Sequence, residues 1–263
     1  MKIIGFAQLR NELEKGNLEN WFRCMSVCDY IYIYDQNSTD GSRDYYKNFN
    51  NVHVIESNEN RFYDEITCKN ELLNKILQDH PDVNWILWLD GDTLLDNRLL
   101  EENGKMLREL CSNGNDNMID AYYFGHYNLW RSDVHFRLDD DFHWLHGKVV
   151  PLWRNNGNIN FPISSGLHQK QYPNGLNKIV PVDYSLIHRG FATDYQIMTK
   201  YDVYKERGQN GWALERLLSE QTLQVEKINY ELLPKWFKLT DEIHPSQKER
   251  IIDIYNKKIN QEI

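Results

Sequence analysis

Asp90, Gly91 and Asp92 set two carboxylates two residues apart, across a residue that permits a tight turn. Side chains so spaced offer oxygen ligands to one hard divalent cation and leave positions for phosphate oxygens, the arrangement needed to neutralise a nucleoside diphosphate. Asp and Gly are also the commonest residues of ordinary turns, so the tripeptide takes its weight from its place in the chain. It directly follows Trp85 to Leu89, apolar at every position, as in a central strand covered on both faces. A second acid, Asp35, follows the β-favouring run Tyr30 to Tyr34 and opens a turn-forming stretch that ends at Ser42.

The elements that must position these acids alternate. Lys2 to Ala7 predicts a first strand, and Leu18, Trp21, Phe22 and Met25 load one face of a helix. Val52 to Ile55 predicts another strand, and Phe62, Ile66, Leu73, Ile76 and Leu77 mark an amphipathic helix that ends before Pro81. Strands separated by helices predict an α/β fold, a Rossmann-like, mostly parallel sheet flanked by helices. Ligands of such sheets bind beyond the carboxyl ends of the strands, where Asp35 and Asp90 both fall. From Ala121 the rhythm changes to strands at 121–129, 148–153 and 179–187, and helices return at 194–206, 212–225 and 246–259. One domain is expected, with a ligand-binding part at 1–118, a smaller second sheet at 119–192 and C-terminal helices at 193–263.

Thirty Lys and Arg against 39 Asp and Glu leave a formal charge of -9. That argues against nonspecific nucleic-acid or anionic-membrane binding, and an anionic substrate would need a local cation. No run of about 20 apolar residues predicts a membrane span, and the N-terminus lacks an apolar signal core, so the expectation is a soluble, cytoplasmic chain. Four cysteines predict buried free thiols, since the close pair Cys24 and Cys28 lacks zinc-knuckle spacing. Aromatic residues reach 13%, with 16 Tyr and 8 Trp, which suits sugar stacking as well as core packing.

Several of these segments together resemble family 2 glycosyltransferases of the GT-A fold, in their soluble, non-processive form. The resemblance is carried by Arg10-Asn11-Glu12, by Tyr34 to Ser42, by Lys69-Asn70 and by Trp85 to Asp92. It continues more weakly through Asn128 to Arg131, Leu152 to Arg154, Gly166 to His168 and Ile187 to Phe191, and Tyr184 to Lys200 is similar to the closing strand and helix of many members. The Gln-x-x-Arg-Trp motif of the polymerising, membrane-embedded branch is absent.

The resemblance implies a nucleoside-diphosphate sugar donor, Mn²⁺ or Mg²⁺, and transfer to a hydroxyl of a glycan or other acceptor. Asp35 would pair with the base, with Arg10 and Glu12 lining the same pocket; a surface ion pair is the alternative for those two. Asp90 would hold the ribose, or the metal through water, and Asp92 would ligate the metal. Lys69 is either the counter-charge for the diphosphate or an exposed helix cation. His188 follows the last predicted strand, where many such enzymes supply a third metal ligand, and His168 is its rival. Inverting transfer needs a general base, for which Asp141 and then Asp139, in Arg137 to Asp141, are the candidates against a solvated acidic loop. Trp130, Trp144 and Trp153 could stack on an acceptor sugar or fill the core.

The expected activity is metal-dependent glycosyl transfer from a UDP- or GDP-linked sugar, with inversion. A retaining transferase would need no such base. A sugar-nucleotide pyrophosphorylase would show a Gly-rich loop where this chain has Ala7 to Glu12, and a non-catalytic carbohydrate-binding protein would leave the two acidic motifs unexplained.

Overall fold

The structure is a computed structural model describing residues 1–137, 149–162, 172–206 and 225–237. It divides into two compact units, residues 1–125 with 148–186, and residues 126–147 with 187–263.

The first unit is built on a sheet of β1 (Ile3–Leu9), β2 (Tyr30–Gln36), β3 (Val52–Ser57), β4 (Trp85–Trp88), β5 (Thr93–Leu95), β6 (Ala121–Asn128), β8 (Val149–Arg154) and β9 (Ile179–His188). The order is β3-β2-β1-β4-β8-β6-β9-β5. The first four strands run parallel, and β8 is antiparallel to both β4 and β6. The last residues of β6 and β9 are counted with the second unit. This is the mixed α/β sheet expected, and β1 and β4 are apolar because both faces are covered.

Helix α1 (Leu18–Met25) buries the predicted stripe of Leu18, Trp21, Phe22 and Met25. After the short α2 (Ser42–Tyr46), a 3₁₀ turn at Phe62–Asp64 leads into α3 (Glu65–Asp79), which buries Ile66, Leu72, Leu73 and Ile76. Phe6, Tyr32, Ile86, Trp153 and Phe161 share one core with that face. Phe161 is tied to α3 by two bonds, its amide donating to Asn70 Oδ1 at 3.0 Å and its carbonyl accepting from Asn70 Nδ2 at 3.1 Å.

In this unit two elements had no counterpart in the sequence reading. One is β5; the other is α4 (Asn97–Asp116), interrupted where Glu102, Asn103 and Gly104 take left-handed φ values. Asp96 caps α4 by accepting from the Arg98 amide at 3.0 Å, and its other oxygen accepts from the Ser185 amide at 3.2 Å, fastening the helix start to β9.

In the second unit, β7 (His135–Arg137) pairs with β10 (Val225–Lys227) and α5 (Asp194–Glu206) follows β9. Of the helix expected at 212–225 only Val225 is described, and it opens β10 instead. The helix expected at 246–259 lies outside the described residues. No helix among the described residues is long and apolar enough to cross a membrane.

Candidate functional site

The Asp90 turn is held from two sides. Thr93 donates its amide to the Asp90 carbonyl at 3.0 Å, closing a four-residue turn, and Trp21 Nε1 donates to the Leu89 carbonyl at 2.9 Å, fixing the end of the strand against α1. Asp90 is exposed and Asp92 half-buried. Gly91 is buried but does not adopt a positive φ, so the turn itself does not demand glycine. The demand comes from a neighbour. A Cβ at position 91 would lie 2.7 Å from both Cγ and Cδ of Glu12 and 3.0 Å from Leu9 Cδ2.

Glu12 is thereby brought to the acidic turn from the loop after β1. It is 8% exposed, and its carboxylate accepts from Lys15 Nζ at 2.7 Å and Asn17 Nδ2 at 2.9 Å. Its carbonyl accepts from the Asn17 and Leu18 amides, which seats it on the start of α1. Burial raises its pKa above the ordinary value; Lys15 opposes the rise and the charge of Asp92 adds to it. Arg10 is exposed, and its carbonyl accepts from Lys15 Nζ at 3.0 Å.

Asp35 stands inside the last turn of pairing, opposite Leu9, and not beyond the strand end. Its side chain is fully buried, accepting from the Ser38 amide at 2.9 Å, Arg43 Nε at 2.7 Å and Tyr46 OH at 3.2 Å. The loop it opens is stitched to the Arg10 loop. Ser38 Oγ accepts from the Asn11 amide at 3.0 Å, and the Thr39 amide donates to Asn11 Oδ1 at 2.9 Å. Arg10, Glu12, Asp35 and the Asp90 turn thus belong to one loop cluster at one edge of the sheet.

Lys69 is not an exposed helix cation: it is 1% exposed, paired with Glu65, with Nζ 5.3 Å from the Trp88 ring centre and 5.7 Å from that of Phe161. Trp153, expected as a stacking platform, is a core residue at 0% exposure, set edge-on to Phe6 and Phe161. Trp130, in the second unit, is likewise buried, with the Arg137 guanidinium 4.4 Å from its ring centre.

His188, also in the second unit, has both ring nitrogens engaged. Lys200 Nζ can only donate, so Nε2 accepts from it at 3.2 Å and the proton sits on Nδ1, facing Asn128 Oδ1 at 2.6 Å. Asn128 Nδ2 continues the line to His126 Nδ1 at 3.4 Å. Asp139, Asp141, Trp144 and His168 lie outside the described residues. Among those that are described, no three or more His, Cys, Asp or Glu side chains are grouped as a metal cluster. The donors at the turn are two carboxylates, whose hard oxygens suit Mn²⁺ or Mg²⁺.

The sequence reading missed Lys15, Asn17, Arg43, Tyr46 and Glu65, the partners that hold the acids and the lysine in place. Only Glu65, one helical turn before Lys69, left a spacing that could have revealed it.

Residues 33–156, fewer than half of the chain's 263, match the profile of the galactosyl transferase GMA12/MNN10 family. Over that stretch the chain is similar to glycosyltransferases. The matched stretch contains Asp35, Lys69, Asp90 and Asp92 and stops short of His168 and His188. A solved structure of S. aureus TarS is similar at 13% identity and a TM-score of 0.47, covering 84% of this chain. This chain spans 42% of that one. No curated protein matches the chain.

Proposed function

We propose that the protein is a metal-dependent glycosyltransferase of the GT-A type, family 2-like, moving a sugar from a UDP- or GDP-linked donor to a hydroxyl of a glycan or other acceptor. The observation that carries this reading is the Asp90-Gly91-Asp92 turn at the end of β4, inside the stretch that matches a glycosyltransferase family. In this reading Asp92 ligates Mn²⁺ or Mg²⁺ and Asp90 holds it through water or binds the ribose. The bound cation would neutralise the diphosphate as it departs. Glu12, Arg10 and the loop after Asp35 shape the nucleotide side, and buried Asp35 fixes that loop through Ser38 and Arg43.

Inversion would place the general base in the acidic run, at Asp141 or Asp139, which takes the proton from the acceptor hydroxyl. A single-anomer donor and an NMR assignment of the product anomer separate inversion from retention. The family's description makes a galactosyl donor the first to try.

The test is a melting curve with UDP and with GDP, in Mn²⁺ and in EDTA. Two carboxylates repel a diphosphate that arrives without a cation, so stabilisation is expected only with metal. Asp92→Asn is expected to abolish that shift and to leave the unliganded fold intact, because Asp92 is half-buried and outside the core. Equal shifts in Mn²⁺ and EDTA refute the metal site.

A further inference from the structure

We infer that Glu12 is a positioning residue for the Asp90 to Asp92 turn, and that its side chain, not the turn's backbone conformation, dictates glycine at position 91. The inference rests on the reading of Asp92 as a metal ligand and adds a residue that acts through the turn without touching the ion. Three observations carry it. Gly91 has no positive φ, so an alanine could adopt its backbone angles. The space for a methyl group is filled by Glu12 Cγ and Cδ, each 2.7 Å from the position a Cβ would take. Finally, Glu12 cannot swing aside freely: its carboxylate is held by Lys15 and Asn17, and its carbonyl by the first amides of α1.

The geometry makes a buttress. Leu9, the last residue of β1, and Glu12 close one side of the turn, while the Trp21 indole grips the Leu89 carbonyl on the strand that leads into it. A methyl group at position 91 must push either Glu12 off Asn17, which is itself 2% exposed, or the turn away from β1. The second shift moves the two carboxylates that flank Gly91, and the first removes the side chain that braces them. A site whose ligands must be held to about 0.5 Å responds to such a displacement.

The experiment compares the parent with Gly91→Ala, Glu12→Ala, the double variant and Glu12→Gln, reading the Mn²⁺ concentration that half-saturates the UDP-dependent melting shift. Gly91→Ala is expected to raise that midpoint about 10-fold or more, the size of effect seen when a group behind a metal ligand is disturbed. In the Glu12→Ala background the same substitution is expected to add less than about twofold, since the two nearest obstructing atoms are gone and only the end of the Leu9 side chain, 3.0 Å away, must still give. Glu12→Gln, which keeps the shape and an acceptor for Asn17, is expected to give a lower midpoint than Glu12→Ala. A Gly91→Ala penalty of equal size in both backgrounds overturns the inference, as does a Glu12→Gln midpoint as high as that of Glu12→Ala, which would make Glu12 a direct ligand.

Melting temperatures without ligand keep this inference separate from the functional reading. Gly91→Ala is expected to lower the melting temperature when Glu12 is present and to lower it much less when residue 12 is alanine and only Leu9 remains in the way. A parent that melts identically with and without Mn²⁺ and UDP overturns the functional reading, and the unliganded cycle then decides the Glu12–Gly91 coupling by itself.

Discussion

Asp120 shows what a buried carboxylate does here when it is structural. It is 5% exposed and accepts from Arg154 Nη2 at 2.9 Å, the Asn177 amide at 2.9 Å and the Lys178 amide at 3.0 Å. Burial alone would raise its pKa, but Arg154 and the two amides outweigh that and hold it below the ordinary carboxylate value. A depressed folded-state pKa gives stability that is present above the unfolded value and lost as the pH falls through the folded one. Asp120→Asn is expected to cost about 1–3 kcal/mol at pH 7, and urea titrations at decreasing pH should show the gap to the parent closing below about pH 4. A gap that stays constant with pH would refute the ionic contribution. The acids themselves were legible in the sequence because each directly follows an apolar run. Their partners were not: Arg43 reaches Asp35 from a helix that starts seven residues later, and no periodicity encodes that contact. Trp130 and Trp153 show the same gap, because an aromatic side chain reads alike in a core and on a sugar platform.

Among the elements, β1 to β4 and α1 were legible because burial on both faces leaves a run of apolar residues and burial on one face leaves a stripe. β5 was hidden by its length of three residues. α4 was hidden by its composition, since Asn103-Gly104 and Asn113-Gly114 read as turns. Gly104 does interrupt the helix with a left-handed φ, but Gly114 stays within it for a packing reason. A Cβ there would meet Trp85 Cζ2 at 2.4 Å, Cη2 at 2.6 Å and the Tyr122 hydroxyl at 2.9 Å. Alanine is favoured over glycine in a helix by about 1 kcal/mol, whereas forcing a methyl group into a filled core costs about 1–3 kcal/mol. Overpacking wins at this position, so Gly114→Ala is expected to lower the melting temperature. A rise would mean that Trp85 can rotate away.

Over the whole molecule, the four cysteines behave as the sequence suggested. All are buried and free, and burial pushes the Cys24 thiol up to about 12 and Cys68 up to about 11, with Cys28 and Cys111 also raised. Since the thiolate is the reactive form, none is expected to react with iodoacetamide at pH 8 in the folded protein, and all four in denaturant, as mass spectrometry would report. The order of the sheet bears in turn on how the chain survives its own synthesis. β3, β2, β1 and β4 pair with one another within the first 88 residues, so this half can assemble early. The outer edge of β4, however, is closed only by β8, which begins at Val149. Until then the nascent chain presents Trp85 to Trp88 as an apolar strand with unpaired amides, the kind of edge that recruits other strands. A ribosome-bound chain halted with residue 120 as its last emerged residue is therefore expected to bind chaperone and to aggregate on release, and one halted after β8 has emerged to do so much less. Equal aggregation of the two would show that the edge is shielded by something other than β8.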